Sequence, residues 1–246
     1  MLAVSITHPL RKGIAMSHSV LITGASRGIG LEFARQYAEA GWRVHACCRD
    51  PQKAGKLQQV ADKYTDLVTL HTLDVGDSGQ IKRLVNALSD EAIDLLINNA
   101  GIYLPDYENG QISERTLIES FRINSIAPLI IAEAFADNLD KGSHKKIVNI
   151  TSKMGSIDDN TSGGRYAYRS SKAALNMVTK SLAVDLAPRG ISAIVLHPGW
   201  VQTDMGGSNA STSVEKSVTG MRAVIERIKL KDSGKFYGYD GKEIPW

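Results

Sequence analysis

The chain has 246 residues, 43% hydrophobic and 22% charged, the profile of one globular domain with a sizeable core, which excludes a disordered tail or a mini-protein. Its 29 basic and 26 acidic residues are scattered, and a net charge of +3 argues against a nucleic-acid partner. No run approaches the roughly 20 apolar residues of a membrane-spanning helix. The only two cysteines, Cys47 and Cys48, are adjacent, so no disulfide framework exists and a reducing, cytoplasmic setting is expected.

Residues 1–15 lack acids, carry the pair Arg11-Lys12 and precede a second methionine, Met16, with no apolar signal core. They read as an upstream extension, and residues 1–18 are expected to be flexible. From Ser19 onward the pattern alternates. Val20-Leu21-Ile22-Thr23 is a short apolar run ending at glycine, hence a buried strand. Ile29, Phe33, Tyr37 and Ala40 recur at helical spacing until Gly41 stops the helix. Strands follow at 44–48, 67–75 and 93–98, the last two separated by a helix with Ile81, Leu84, Val85 and Leu88 on one face. Leu117, Ile118 and Phe121 open a long helix that runs past Asn124 and Pro128. A fifth strand at 146–152, a helix at 168–186 and a sixth strand at 191–197 complete the alternation, with a helical insertion and mobile substrate loop over about 204–230. Strands alternating with helices of this length predict a single α/β domain over 19–246, a doubly wound parallel sheet with helices on both faces.

Thr23-Gly24-Ala25-Ser26-Arg27-Gly28-Ile29-Gly30 falls where the first strand meets the first helix. Glycines there permit a tight turn and close approach of backbone to a pyrophosphate, which the helix amides would face. The spacing is G-x-x-x-G-x-G, unlike the commonest dinucleotide turn, and an ordinary strand–helix turn is the bland alternative. Asn98-Asn99-Ala100-Gly101 ends the fourth strand at the same sheet edge, where its amides would either cross-link loops or touch a cofactor. Asp74 would accept a hydrogen bond from an adenine amino group or else cap the strand end. An acid roughly 20 residues past the glycines marks an NAD site. The second strand instead ends Cys48-Arg49, and Arg49 with Arg27 suits a 2′-phosphate, so NADPH/NADP is expected over NADH/NAD; Asp50 is the competing feature.

Tyr168 and Lys172 lie four apart on a helix and share a face. Such a pair arises by accident about half the time in a chain of this composition, so context carries the weight. Ser152 ends the fifth strand at the same edge, and Asn124 interrupts the preceding long helix. Reduction of a carbonyl needs a proton donor as hydride arrives, and a free tyrosine is a weak acid at neutral pH. An ammonium about 4–5 Å away is expected to lower the phenol by two to three units, on the order of 3–4 kcal/mol.

With these residues assembled, the sequence resembles the short-chain dehydrogenase/reductase family over nearly all of 19–246, and among its subtypes the C-factor and sniffer-type carbonyl reductases. Asn160-Thr161-Ser162-Gly163-Gly164 before Tyr166-Ala167-Tyr168, and the tail from Tyr239 to Trp246, carry the subtype likeness. The resemblance implies a Rossmann-type fold with Tyr168 as acid/base, Ser152 holding the substrate oxygen, Lys172 on the nicotinamide ribose and Asn124 holding a water. It also implies cofactor contacts at Gly24, Ser26, Arg27, Gly28, Ile29, Gly30, Arg49, Asp74, Val75, Asn99, Ala100, Gly101, Pro198, Gly199, Val201 and Thr203.

Three departures matter. The step of 16 residues from Ser152 to Tyr168 is longer than the family's usual one and leaves Ser156 as a second candidate serine. Tyr166 is a decoy because Ser170 stands where a lysine would be needed. The insertion found before the tyrosine in monomeric carbonyl reductases is absent, which favours a homodimer, or a tetramer, packed through helices at 117–135 and 168–186, unless the C-terminal tail covers that face. Trp200, Met205, Met154 and Tyr103 are expected either to line an apolar substrate pocket or simply to pack in the core. A small ketone or aldehyde reduced with NADPH is the expected chemistry, with an NAD-dependent alcohol dehydrogenase or a cofactor-binding signalling protein as alternatives.

Overall fold

Five consecutive buried residues make Ser19–Thr23 (β1) the centre of the sheet. Val20 and Ile22 pack into one layer and Leu21 into the other, the period of two that a strand buried on both faces requires. The structure is a computed structural model describing residues 18–246, so the expected upstream extension lies outside the described residues except for His18. Seven parallel strands follow the order β3-β2-β1-β4-β7-β8-β9, where β2 is Arg43–Cys48, β3 Val68–Thr72, β4 Leu95–Asn98, β7 Lys146–Ile150, β8 Ser192–His197 and β9 Phe236–Gly238. Registers such as Val20↔Val44 and Val20↔Leu95 bring the strand ends level. β5 (Tyr107–Glu108) and β6 (Gln111–Ile112) form a separate exposed hairpin.

One core layer joins the sheet to helices α1 (Gly28–Glu39), α2 (Gly55–Lys63) and α8 (Val214–Arg227) through Phe33, Leu57, Val218 and Met221. The other joins it to α3 (Ser78–Ala87), α5 (Ala127–Ala134), α6 (Ala136–Lys141) and α7 (Tyr166–Asp185) through Ile81, Ile131, Leu139 and Leu182. Each such fully buried side chain contributes about 1.5–3 kcal/mol. The chain reverses its direction across the sheet between β1 and β4, and a crevice opens at their C-terminal ends.

Several local features differ from the sequence expectation, among them the seventh strand, β9, and the β5–β6 hairpin. α2 was not foreseen, because its nine residues bury only Leu57 and leave a weak apolar pattern. The long helix through Asn124 is divided into α4 (Glu114–Phe121), a π turn at Arg122–Ile126 and α5. α7 starts two residues earlier than expected. The helical insertion expected in this region is present as α8, whose Val218, Met221, Val224 and Ile225 are buried and whose Thr219 hydroxyl lies 3.2 Å from the Gln36 amide of α1. That packing leaves only the segment before α8 as surface loop.

Candidate active site

Thr23 closes β1, and the chain turns through Gly24 at φ +67°, where a Cβ would sit 2.9 Å from the Ala100 Cα. A Cβ at Gly30 would collide with the Gly24 carbonyl oxygen and the Asn99 amide. Two backbones therefore meet at van der Waals distance, which only glycine allows. The Asn99 amide donates to the carbonyls of Thr23 (2.9 Å) and Gly24 (3.1 Å), and the Thr23 hydroxyl accepts from the Asn99 and Ala100 amides. Of the two roles open to Asn99, its side chain performs the cross-linking one. Asn98 bonds Asn149 at 2.9 Å and extends this polar bracing across β4 and β7. No side chain caps the start of α1, so its first-turn amides face the crevice with their positive partial charge.

That crevice is a cleft of about 590 Å³. Of the expected cofactor residues, Gly24, Ser26, Arg27, Gly28 and Ile29 line it from the glycine turn, and Arg49, Asp74 and Val75 from the ends of β2 and β3. Asn99, Ala100 and Gly101 line it from β4, and Pro198 and Thr203 from beyond β8. Gly30, Gly199 and Val201 stand behind this wall: Gly199 backs onto the Tyr239 ring and Val201 is buried in a bridge to Thr212. The Asp50 carboxylate is occupied, accepting from the amides of Gln52 (3.1 Å) and Lys53 (3.3 Å) and pairing with the Lys53 ammonium. Asp74 spends one oxygen on the Gly76 amide at 2.9 Å. Lys56 of α2 adds a cation to the cleft beside Arg49. It escaped the sequence reading because its helix did. Arg27 reaches across the mouth to Asp204 at 2.7 Å, with both side chains mostly exposed. Such pairs contribute little, so an incoming anion can displace Asp204 readily.

Tyr168 and Lys172 both line the cleft from the first turns of α7. Lys172 donates to the Ile150 carbonyl at 2.8 Å, and its nitrogen lies 5.9 Å from the Tyr168 ring centre. The expected lowering of the phenol by this ammonium is not found: burial pushes Tyr168 up to about 12, with the Ser152 hydroxyl pulling the other way. Burial likewise pushes Lys172 down to about 8. Both shifts have one cause, since removing either side chain from water penalises its charged form. Ser156, the second candidate serine, is buried and bonded to the Trp246 carbonyl at 3.2 Å, away from Tyr168. Tyr166 is exposed at the helix start.

Asn124 is fully buried in the π turn, one layer behind the cleft. Its amide donates to the Ile102 carbonyl (2.9 Å) and the Ser171 hydroxyl (3.0 Å), and its oxygen accepts from the Ile102 amide at 2.8 Å. The extra residue of the turn rotates Asn124 inward, and it ties the loop after β4 to α7. Asp106 in that loop was not foreseen either. Its two oxygens accept from the Tyr166 and Ala167 amides, each at 3.0 Å, and so cap α7 from 60 residues away. No sequence pattern signals a cap so remote.

One side of Tyr168 is covered by an aromatic ring. The Tyr103 ring stands edge-on to Tyr168 with centroids 4.8 Å apart and is itself 38% exposed. Trp200 and Met205 are more than half exposed, so neither is core packing. Met154 lies in the turn that Ser152 caps, its amide donating to the Ser152 hydroxyl.

A family model described as short chain dehydrogenase matches residues 18–213. The chain belongs to that family. Among solved structures, this short-chain dehydrogenase is similar to the NADPH-bound carbonyl reductase from chicken fatty liver, with 37% identity and a TM-score of 0.87 over 94% of this chain and 99% of that one. It is similar also to the carbonyl reductase Sniffer of D. melanogaster, at 34% identity and a TM-score of 0.86 over 94% and 100%. Among curated proteins it is 44% identical to the C-signal of Myxococcus xanthus over 154 residues, 63% of this chain and 93% of that one. The protein is therefore an oxidoreductase of the short-chain type, with a doubly wound Rossmann-like sheet. Among the described residues no helix is long and apolar enough to cross a membrane.

Proposed function

We propose that this short-chain dehydrogenase reduces a small ketone or aldehyde with NADPH, using Tyr168 as the proton donor. The observation that carries the proposal is the half-buried Tyr168 on the cleft wall, close enough to the Ser152 hydroxyl for that group to favour its ionised form, with Lys172 one turn away. The cleft's donor set fits a dinucleotide. Uncapped α1 amides would hold the pyrophosphate, and Arg27, Arg49 and Lys56 would surround a 2′-phosphate. The carboxylate of Asp50, committed to its own turn, offers nothing to a ribose 2′-hydroxyl, which supports NADPH over NADH. The cofactor supplies the hydride.

Ser152 would hold the substrate oxygen while Tyr168 transfers its proton to the alkoxide formed as hydride arrives. A phenol raised to about 12 stays protonated at neutral pH, and an alkoxide is a stronger base still, so the transfer runs downhill. Lys172, mostly charged below pH 8, would stabilise the phenolate left behind and bind the nicotinamide ribose. Asn124 would hold the water that returns a proton through Lys172. Tyr103, Met205 and Trp200, with Met154 below, would form an apolar substrate wall, and the 204–230 segment would act as the substrate loop.

A binding-only, signalling role gains support from the likeness to C-signal. The full set Asn124, Ser152, Tyr168 and Lys172 favours turnover, since a binding module needs no proton donor. We also infer a homodimer: Ile118, Ile126, Leu129 and Ile130 on the α4–α5 side and Met177 and Val184 on α7 are exposed. The C-terminal tail lies elsewhere, its Trp246 carbonyl accepting from Asp158 at 3.0 Å. A panel of aliphatic and aromatic ketones and aldehydes, followed by the absorbance of the reduced nicotinamide, tests the function. Oxidation of NADPH with at least one carbonyl class is expected, and tight NADPH binding with no turnover on any would establish the signalling alternative.

A further inference from the structure

At the opposite edge of the sheet from the cleft, three side chains able to ligate a metal converge just before three neighbouring strands. His18 precedes β1, Asp94 precedes β4 and His144 stands in the turn into β7. One donor atom from each lies within 4.8 Å of the other two. The His18 Nδ1 is 3.8 Å from the Asp94 Oδ1, and the two imidazole centroids are 4.2 Å apart, edge to face.

The surroundings hold the donors as a metal site holds them. Asp94 Oδ1 accepts from the Ser143 amide (2.7 Å), the Ser143 hydroxyl (2.7 Å) and the His144 amide (3.2 Å), while among the described residues Oδ2 accepts from the Ser19 amide alone, at 2.8 Å. These bonds fix the carboxylate's orientation, and its Oδ2 still has a lone pair to offer. Trp42 packs against both imidazoles, at 5.1 Å from His18 and 5.4 Å from His144, and screens one side from water. The nearby Lys146 ammonium is committed to the carbonyls at the end of α8, at 2.7 Å from Ile225 and 3.2 Å from Glu226.

We propose that His18, Asp94 and His144 form a binding site for one divalent first-row transition cation, with Zn²⁺ the preferred occupant. Two imidazoles and one carboxylate suit Zn²⁺, and water would complete a four-coordinate shell. Ligand atoms around such an ion are roughly 3.4 Å apart, so side-chain rotations of about 1 Å close the present spacing. The site would clamp the starts of β1, β4 and β7 together, far from the cofactor cleft. Its effect is on stability rather than on turnover.

Untagged, chelator-treated protein titrated with Co²⁺ tests this by the visible ligand-field absorption of a low-symmetry site. Saturation at one Co²⁺ per chain, displacement by Zn²⁺, and a Tm raised by roughly 5–10 °C with Zn²⁺ at 100 times its Kd are expected. His18→Ala, at an exposed position, and His144→Gln should each lose the absorption and at least 10-fold in Zn²⁺ affinity, with NADPH binding unchanged. If the wild type takes up no Co²⁺ at millimolar concentration, or if both variants bind as the wild type does, the cluster is only a histidine–aspartate pair and the proposal fails.

Discussion

Lys172 and Tyr168 illustrate how burial, not proximity of charge, sets the acid–base chemistry. A simple Coulomb argument from the four-residue spacing lowers the phenol; the folded environment raises it, because both side chains are desolvated and the ammonium turns to the Ile150 carbonyl. The sign of the pH dependence follows. Lys172 loses its charge as pH rises through about 8, and an uncharged neighbour no longer stabilises the phenolate left after proton transfer. The reductive kcat should therefore fall about tenfold per pH unit above 8, while Tyr168 stays protonated. A profile flat to pH 10 would contradict this. Arg49 carries the second residue-scale prediction. Arg49→Glu puts an anion where a 2′-phosphate is expected, which should cost about 1.4–2.7 kcal/mol, or roughly 10–100-fold in kcat/KM for NADPH, with NADH little affected. Measuring both cofactors on the same variant checks it, and equal losses would assign Arg49 a structural role.

At the scale of elements, α7 depends on a carboxylate it does not carry. Arg165, just before the helix, is left-handed at φ 52° and supplies no cap, so Asp106 provides the bonds to the first amides. The same loop holds Tyr103 against Tyr168 and is fastened by Asn124. Asp106→Ala should destabilise the protein by about 0.5–2 kcal/mol, the usual range for loss of a helix cap. It should also lower kcat more than it raises the KM for NADPH, because the first turn carries Tyr168. A stable variant with unaltered kcat would separate the cap from the chemistry. These elements also show what the sequence discloses. β1, α1 and the glycine turn are legible because apolar period and glycine placement are local properties. The cap by Asp106 and the amide of Asn99 bonded to the Gly24 carbonyl are contacts across 60 and 75 residues, which no window can register. α2 was invisible for a different reason: Leu57 is its one fully buried residue, with Val60 and Ala61 only partly covered, and Lys56 was lost with it.

For the molecule as a whole, the alternation of strands and helices sufficed for the doubly wound sheet, since βαβ units leave few topologies open. The helical insertion after the sixth strand was legible as α8, whose buried and exposed residues alternate at helical spacing, but the three-residue β9 that follows it was too short to register. The exposed apolar residues on α4, α5 and α7 form the face through which the proposed dimer would pack. Met177 is 66% exposed in the chain taken alone, so Met177→Lys costs nothing in the protomer but would bury a charge in the pair. Light scattering should find the wild type at twice the chain mass and the variant at the single-chain mass. A wild type already monomeric would remove this reading.

The most direct trial of the account is Tyr168→Phe assayed for carbonyl reduction and for NADPH affinity together. Removing only the phenolic oxygen should lower kcat by at least about 100-fold, the ordinary contribution of a positioned acid, with the Kd for NADPH within about twofold of the wild type. Reduction at a rate near that of the wild type, with the same tight binding, would mean that the proton comes from another group.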